Sequence, residues 1–194
     1  MKRVSVILLA VLLLVSCCLL SGCGKDKYSA YVKIDVKDFG EIIVGLRADK
    51  APETVENFLS LVDQGFYDGI TFHRIITNFM IQGGDPTGTG FYGSGTTITG
   101  EFADNGYTKN DLKHLRGTIS MARNSVDMNS ASSQFFICQV DYPSLDGSYA
   151  AFGMVVKGIE VVDDICYSTP QGDNGAVEPQ WQPVINSITR CEKP

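Results

Sequence analysis

Short strand-type runs, cut one after another by glycine turns, constrain this chain more than any other feature. Tyr31-Val32-Lys33-Ile34-Asp35-Val36 alternates with period two, the mark of a strand with one buried face. Lys37-Asp38-Phe39-Gly40 interrupts it and Glu41-Ile42-Ile43-Val44-Gly45-Leu46 follows, so the two runs predict a hairpin. Further strands are predicted at Thr71–Ile76, Phe79–Gln82, Gly117–Ala122, Gln134–Cys138, Ala151–Val156 and Val184–Ile188. Two stretches have helical spacing instead. One opens at Ala51-Pro52-Glu53, sets Val55, Phe58, Leu59 and Val62 on one face and stops at Gly65; it reads as a structural plug. The other is Ile159–Tyr167, with Val162 and Ile165 on one face. Many short strands and two helices favour a mainly β protein, an antiparallel barrel rather than an alternating βαβ fold.

A chain of 194 residues suits one domain plus an appendage. Hydrophobic content of 44% with 20% charged residues supports a packed core. The net charge is −6, which argues against nucleic acid as a partner, since phosphate backbones need a basic face.

The appendage is at the start. Met1-Lys2-Arg3 precedes an apolar run from Val4 to Leu20, then Leu20-Ser21-Gly22-Cys23. A basic start, an apolar stretch and small residues before a break form an export signal. A cysteine directly after Leu-Ser-Gly resembles the bacterial lipoprotein cleavage box. The resemblance implies a signal peptide at 1–22, a lipid on Cys23, a tether reaching residue 29 and a domain at 30–194. The other reading is an uncleaved anchor helix, short for spanning a bilayer. Either way residues 24–194 are expected outside the cytoplasmic membrane, with Lys2 and Arg3 inside. Losing Lys2 and Arg3 leaves 14 cations against 22 carboxylates, a net of −8.

Most familiar chemistries are missing. There is no G-x-S-x-G, and His73 and His114 have no nucleophile pattern nearby; His114 is expected to be structural. Gly88-Thr89-Gly90-Phe91-Tyr92-Gly93 fits G-x-G-x-x-G. A dinucleotide site needs a helix opening there, whereas Thr96-Thr97-Ile98-Thr99 follows, so a surface loop is expected. Asp163 and Asp164 point to different sides of their helix and read as solvated. Cys138, Cys166 and Cys191 show neither C-x-x-C nor zinc spacing. Cys138 reads as a small buried hydrophobe, and a Cys166–Cys191 disulfide is permitted without being implied.

The unexplained stretch is Phe72 to Asp85, where Arg74 and Gln82 stand among Phe79, Met80 and Ile81. A bend at Thr77-Asn78 would bring Arg74 and Gln82 to one wall. The mixture suggests a shallow apolar pocket with a donor fork aimed into it. Phe72-His73-Arg74, Phe79-Met80-Ile81-Gln82-Gly83-Gly84-Asp85, Gly117–Ala122, Ser133-Gln134-Phe135-Phe136-Ile137 and Leu145-Asp146-Gly147 with Phe152-Gly153 resemble, in this order, the cyclophilins. Met121-Ala122-Arg123 is similar to the bacterial branch. The resemblance runs from about Tyr31 to Cys191.

It implies an eight-stranded antiparallel closed β-barrel capped by two helices, with a substrate groove on the outer wall. It implies peptidyl-prolyl cis–trans isomerase activity without a cofactor, on proline-containing polypeptides. Arg74 would be catalytic, with Gln82 beside it. Phe79, Met80, Phe136 and Leu145 would form the proline pocket, and Ala122, Arg123 and Gln134 would touch the peptide backbone. Two positions depart from the eukaryotic pattern. Ser144 replaces a common tryptophan, which implies weaker cyclosporin binding, and Tyr149 replaces a frequent histidine on the pocket wall. With the leader, the expectation is a monomeric, lipid-anchored isomerase that assists folding of exported proteins. The rival is a non-catalytic module, a chaperone or adhesin, that holds proline segments in the same groove.

Overall fold

The computed structural model describes residues 26–194; the expected signal peptide and Cys23 lie outside the described residues. Eight strands appear in the order β1 Ala30–Val36, β2 Gly40–Leu46, β3 Phe72–Ile76, β4 Met80–Gly83, β5 Thr118–Met121, β6 Phe135–Cys138, β7 Ala151–Lys157 and β8 Ile185–Cys191. Helix α1, Pro52–Asp63, lies between β2 and β3, and α2, Ile159–Ser168, between β7 and β8. The strands form one antiparallel sheet ordered β3-β4-β6-β5-β7-β2-β1-β8.

Alternation builds the interior. Val32 and Ile34 of β1 stand opposite Val44 and Ile42 of β2, and all four are fully buried. The expected hairpin closes through Asp38, whose φ is 66°, a conformation that aspartate tolerates. Phe58 of α1 plugs the interior, packing against Tyr67, Phe135 and Phe152 at ring-centroid distances of 5.2 to 5.7 Å. Burying a side chain of this size contributes roughly 1.5–3 kcal/mol. Pro52 starts α1, and a distant carboxylate satisfies its first amides. Glu101 accepts from the backbone N–H of Glu53 at 3.1 Å and of Thr54 at 2.8 Å. That pairing matches a negative group to the positive end of the helix.

The expected closed barrel is corrected in one respect: the sheet is curled but open. β3 and β8 share no ladder; a single bridge, Thr71 with Val184, crosses the seam. Pro183 has no N–H to extend that pairing. Beyond it the free edge of β3 is taken by the 174–177 segment, with Arg74 bridged to Ala176 and Val177 N–H donating to His73 O at 3.0 Å.

Cys138, Cys166 and Cys191 are all free. Burial pushes the Cys138 and Cys166 thiols up to about 12, so neither supplies a thiolate at neutral pH. The expected tether also differs. From Asp26 onward it is packed on the domain, with Ser29 N–H donating to Leu46 O at 2.8 Å.

Candidate active site

A bulge aims Arg74. In β3, Phe72 pairs with Gly83 and Arg74 with Gln82, so His73 is an extra residue in the ladder. Strict alternation would place Arg74 on the same side as Phe72, inside the barrel. The bulge breaks that phase. Phe72 and Ile75 are both fully buried, while Arg74 between them is only partly so. Directly across the ladder, Gln82 joins Arg74 on the outer wall, as the bend at Thr77-Asn78 predicts. Asn78 takes φ 63° to make that bend.

Three of the Arg74 donors are occupied. Nε donates to Asn174 O at 3.0 Å, Nη2 to Asn174 Oδ1 at 3.0 Å and Nη1 to Gln82 Oε1 at 3.2 Å. A guanidinium has five N–H groups, so two stay available. Burial lowers its pKa, yet arginine remains charged throughout the biological range. Because Arg74 can only donate, Gln82 must offer its oxygen to it and turn its nitrogen the other way. Gln82 Nε2 duly donates to Gln134 Oε1 at 2.9 Å. Gln134 Nε2 in turn donates to the carbonyls of Gly90 at 3.0 Å and Tyr92 at 2.7 Å.

Those carbonyls belong to the glycine-rich loop, which is more than a passive surface loop. Asp85, 1% exposed, accepts from the N–H groups of Thr87 at 2.8 Å, Gly90 at 2.6 Å and Tyr92 at 3.3 Å. Burial opposes ionisation of this carboxylate, but those hydrogen bonds prevail and hold its pKa below the usual range. Gly84, with φ 93°, lets the loop start where it does: a Cβ there would stand 2.4 Å from Ser133 O.

Beside the fork lies a cavity of about 200 Å³ lined by Arg74, Phe79, Met80, Gln82, Ala122, Arg123, Phe136, Leu145 and Tyr149. Every residue expected at the site is here except Gln134, which lines an adjoining cavity of about 250 Å³ together with Gln82, Ala122 and Arg123. The floor is a small apolar cluster of Met80, Phe136 and Cys138, separate from the barrel core. Phe136 is stacked on His114, with ring centroids 5.9 Å apart and planes 15° apart. His114 is fixed by Asp146 at 3.2 Å and Ser120 at 3.1 Å; it is a structural support, as expected. Arg123 lies over the rings of Tyr149 at 4.7 Å and Phe102 at 5.2 Å, and its Nε donates to Ser148 O at 3.1 Å. It forms the ridge between the two cavities. Ser144 is exposed on the Pro143–Leu145 turn.

Sequence reasoning missed Asn174, which holds Arg74 from a turn 100 residues away. It also missed Tyr142, whose ring stacks on Phe79 at 4.1 Å. Neither had a local signal. Among the described residues no group of His, Cys, Asp or Glu could hold a metal ion.

Fold and site define a curled antiparallel sheet with an apolar-floored cavity of about 200 Å³ and a guanidinium fork on its outer wall. The family model for cyclophilin-type peptidyl-prolyl cis-trans isomerases matches residues 31–191. A peptidyl-prolyl cis-trans isomerase of Schizosaccharomyces pombe is 42% identical over 141 residues, 72% of this chain and 88% of that protein. One from Helicobacter pylori is 43% identical over 147 residues, 75% of this chain and 83% of that protein. A crystal structure of a Cryptosporidium parvum cyclophilin-type isomerase superposes with TM-score 0.74 at 32% identity, covering 85% of this chain and 99% of that one. A related structure was solved in the presence of the dipeptide Ala-Pro and gives TM-score 0.73. The chain belongs to the cyclophilin-type peptidyl-prolyl cis–trans isomerases.

Proposed function

We propose that Xaa-Pro bonds turn in the cavity beneath Arg74, and that the chain does this for exported proteins while anchored through a lipid on Cys23. The barrier to prolyl rotation, roughly 20 kcal/mol, is the loss of amide resonance. No covalent bond breaks, so no nucleophile is required. Phe79, Met80, Phe136 and Leu145 grip the proline ring while the preceding residue turns. Their apolar surroundings also favour the twisted amide, which is less charge-separated than the planar one. As resonance is lost, lone-pair density grows on the prolyl nitrogen, and Arg74 donates to it. Arginine suits the task because three contacts hold its plane while two donors remain for the reacting group. Gln82, Ala122, Arg123 and Gln134 steady the peptide backbone, and Tyr149 closes the wall. The residues at hand supply every step without a cofactor.

The observation that carries this reading is the fixed guanidinium, with donors to spare, at the edge of a cavity of about 200 Å³ with an apolar floor of Met80 and Phe136. The Ala-Pro dipeptide used with the Cryptosporidium parvum relative supports a proline-containing ligand. Export rests on the residues 1–23 pattern, and we take the protein to act as a monomer. The test is turnover and binding measured on one Xaa-Pro peptide by exchange NMR. Acceleration of exchange is expected; binding without acceleration would assign the groove to a non-catalytic module. The intact mass of protein extracted from membranes reports the lipid on Cys23.

A further inference from the structure

We propose that the face around Tyr28 and Leu115 seats on the membrane surface, an inference that rests on the lipid anchor at Cys23. From Asp26 the chain is bound to the domain. Tyr28 lies against Gly45 of β2, where a Cβ would come within 2.6 Å of the ring, so the glycine makes room for the tyrosine. Asp26 accepts from the Tyr31 hydroxyl at 2.9 Å and pairs with Lys193 at 3.2 Å. Ser29 Oγ donates to Leu46 O at 3.1 Å and accepts from Ala48 N–H at 3.1 Å. Only Gly24 and Lys25 separate Cys23 from the docked segment. Three peptide steps reach at most roughly 11 Å. A lipid on Cys23 therefore holds Asp26 within roughly 11 Å of its anchor point and keeps the face beside Asp26 and Tyr28 near the bilayer.

That face has the composition for it. A cleft of about 230 Å³ beside Tyr28 is lined by Leu115 and Met154 and rimmed by Lys27, Arg47 and Lys113. Leu115 is 46% exposed. The nearby cations Lys27, Arg47, Lys50 and Lys113 match the carboxylates Asp26, Asp49, Asp111 and Asp146, with Arg47, Lys50 and Lys113 in direct pairs. The face is thus near neutral on a chain whose net charge without its leader is −8, so an anionic bilayer repels it less than that net charge implies. Tyrosine and long cationic stems beside exposed leucine suit the boundary between headgroups and acyl chains. The proline cavity shares no lining residue with this cleft.

The test uses the full chain, matured in a bacterium that processes lipoproteins and reconstituted in phosphatidylcholine–phosphatidylglycerol vesicles. Cys191→Ser removes the partly exposed thiol, and a bimane label is placed at Leu115→Cys or, as control, at Val126→Cys, which is 93% exposed. Quenching by spin-labelled lipid is expected to be at least twofold stronger at position 115 than at 126. Flotation with the vesicles but equal quenching at the two sites would leave the anchor intact and overturn the seating. Protection at 115 that rises with protein per vesicle, without lipid quenching, would assign the face to a second copy and also overturn it. Failure to float would refute the anchor itself and the seating with it.

Discussion

Replacing Arg74 tests the chemistry most directly. The Arg74→Ala change removes all three contacts that fix the guanidinium and the two donors left for the prolyl nitrogen. Loss of one donor preorganised for a transition state costs about 10²–10³ in rate, or about 2.7–4 kcal/mol. That is a small part of a barrier of roughly 20 kcal/mol, but it is concentrated in the rotating amide, so the loss should fall on kcat rather than KM. Stability should change little. Arg74 is half-buried, Gln82 lines an open cavity and Asn174 is exposed, so water can replace the lost contacts at a cost of about 1 kcal/mol or less. Arg74→Lys sharpens the argument. A lysine keeps the charge but, as a single flexible ammonium, cannot hold Asn174 and Gln82 while still facing the pocket. It should remain at least about tenfold below wild type if orientation matters as well as charge. Exchange NMR on an Ala-Pro peptide gives the rates, and circular dichroism gives the Tm of each variant. An alanine variant within threefold of wild type at unchanged Tm would refute the assignment of Arg74.

Asn174→Ala should remove only the Oδ1 contact, leaving the Asn174 carbonyl and Gln82 on the fork, and slow turnover about three- to tenfold, whereas adding it to Arg74→Ala should cause no further loss; a further loss in the double variant would show that Asn174 does not act through Arg74. Asp85→Ala should leave the amides of Thr87, Gly90 and Tyr92 without their acceptor, at a cost of about 1–3 kcal/mol, and hydrogen exchange should rise selectively across residues 87–92; unchanged exchange would contradict the loop-holding role. Burial lowers the pKa values of His73 and His114 below the ordinary histidine value, against the opposing pull of Asp85 and Asp146. The unfolded chain then takes up protons first, so stability should be full above about pH 7 and fall as pH drops below about 6.5, by at most about 1.4 kcal/mol per pH unit for each histidine. Urea midpoints that stay flat or rise between pH 7.5 and 5.5 would contradict that sign.

Much of the site was legible because its signals are local. Arg74 and Gln82 flank one tight bend, and the apolar partners Phe79 and Met80 lie between them. The chemistry of the residue types then points to a donor fork over an apolar pocket without any knowledge of the barrel. The glycine loop was visible as residues but read as surface. Its function depends on which carbonyls Gln134 meets, and those lie 42 and 44 residues away in the chain.

The sequence by itself determined the strand and helix pattern, the buried faces and the set of side chains able to form the site. The first two follow from periodicity over a few residues; the site set beyond Arg74, Phe79, Met80 and Gln82 rests on the resemblance to the cyclophilins. Tertiary structure decided the direction of Arg74, because one bulge at His73 turns it outward while Phe72 and Ile75 stay inside. It decided that Asn174 braces the fork, that β3 and β8 meet without forming a ladder, and that Tyr28 docks on Gly45. Each of these is a meeting between residues far apart in the chain, settled by which backbone edge or vacant Cβ position the packed sheet leaves available.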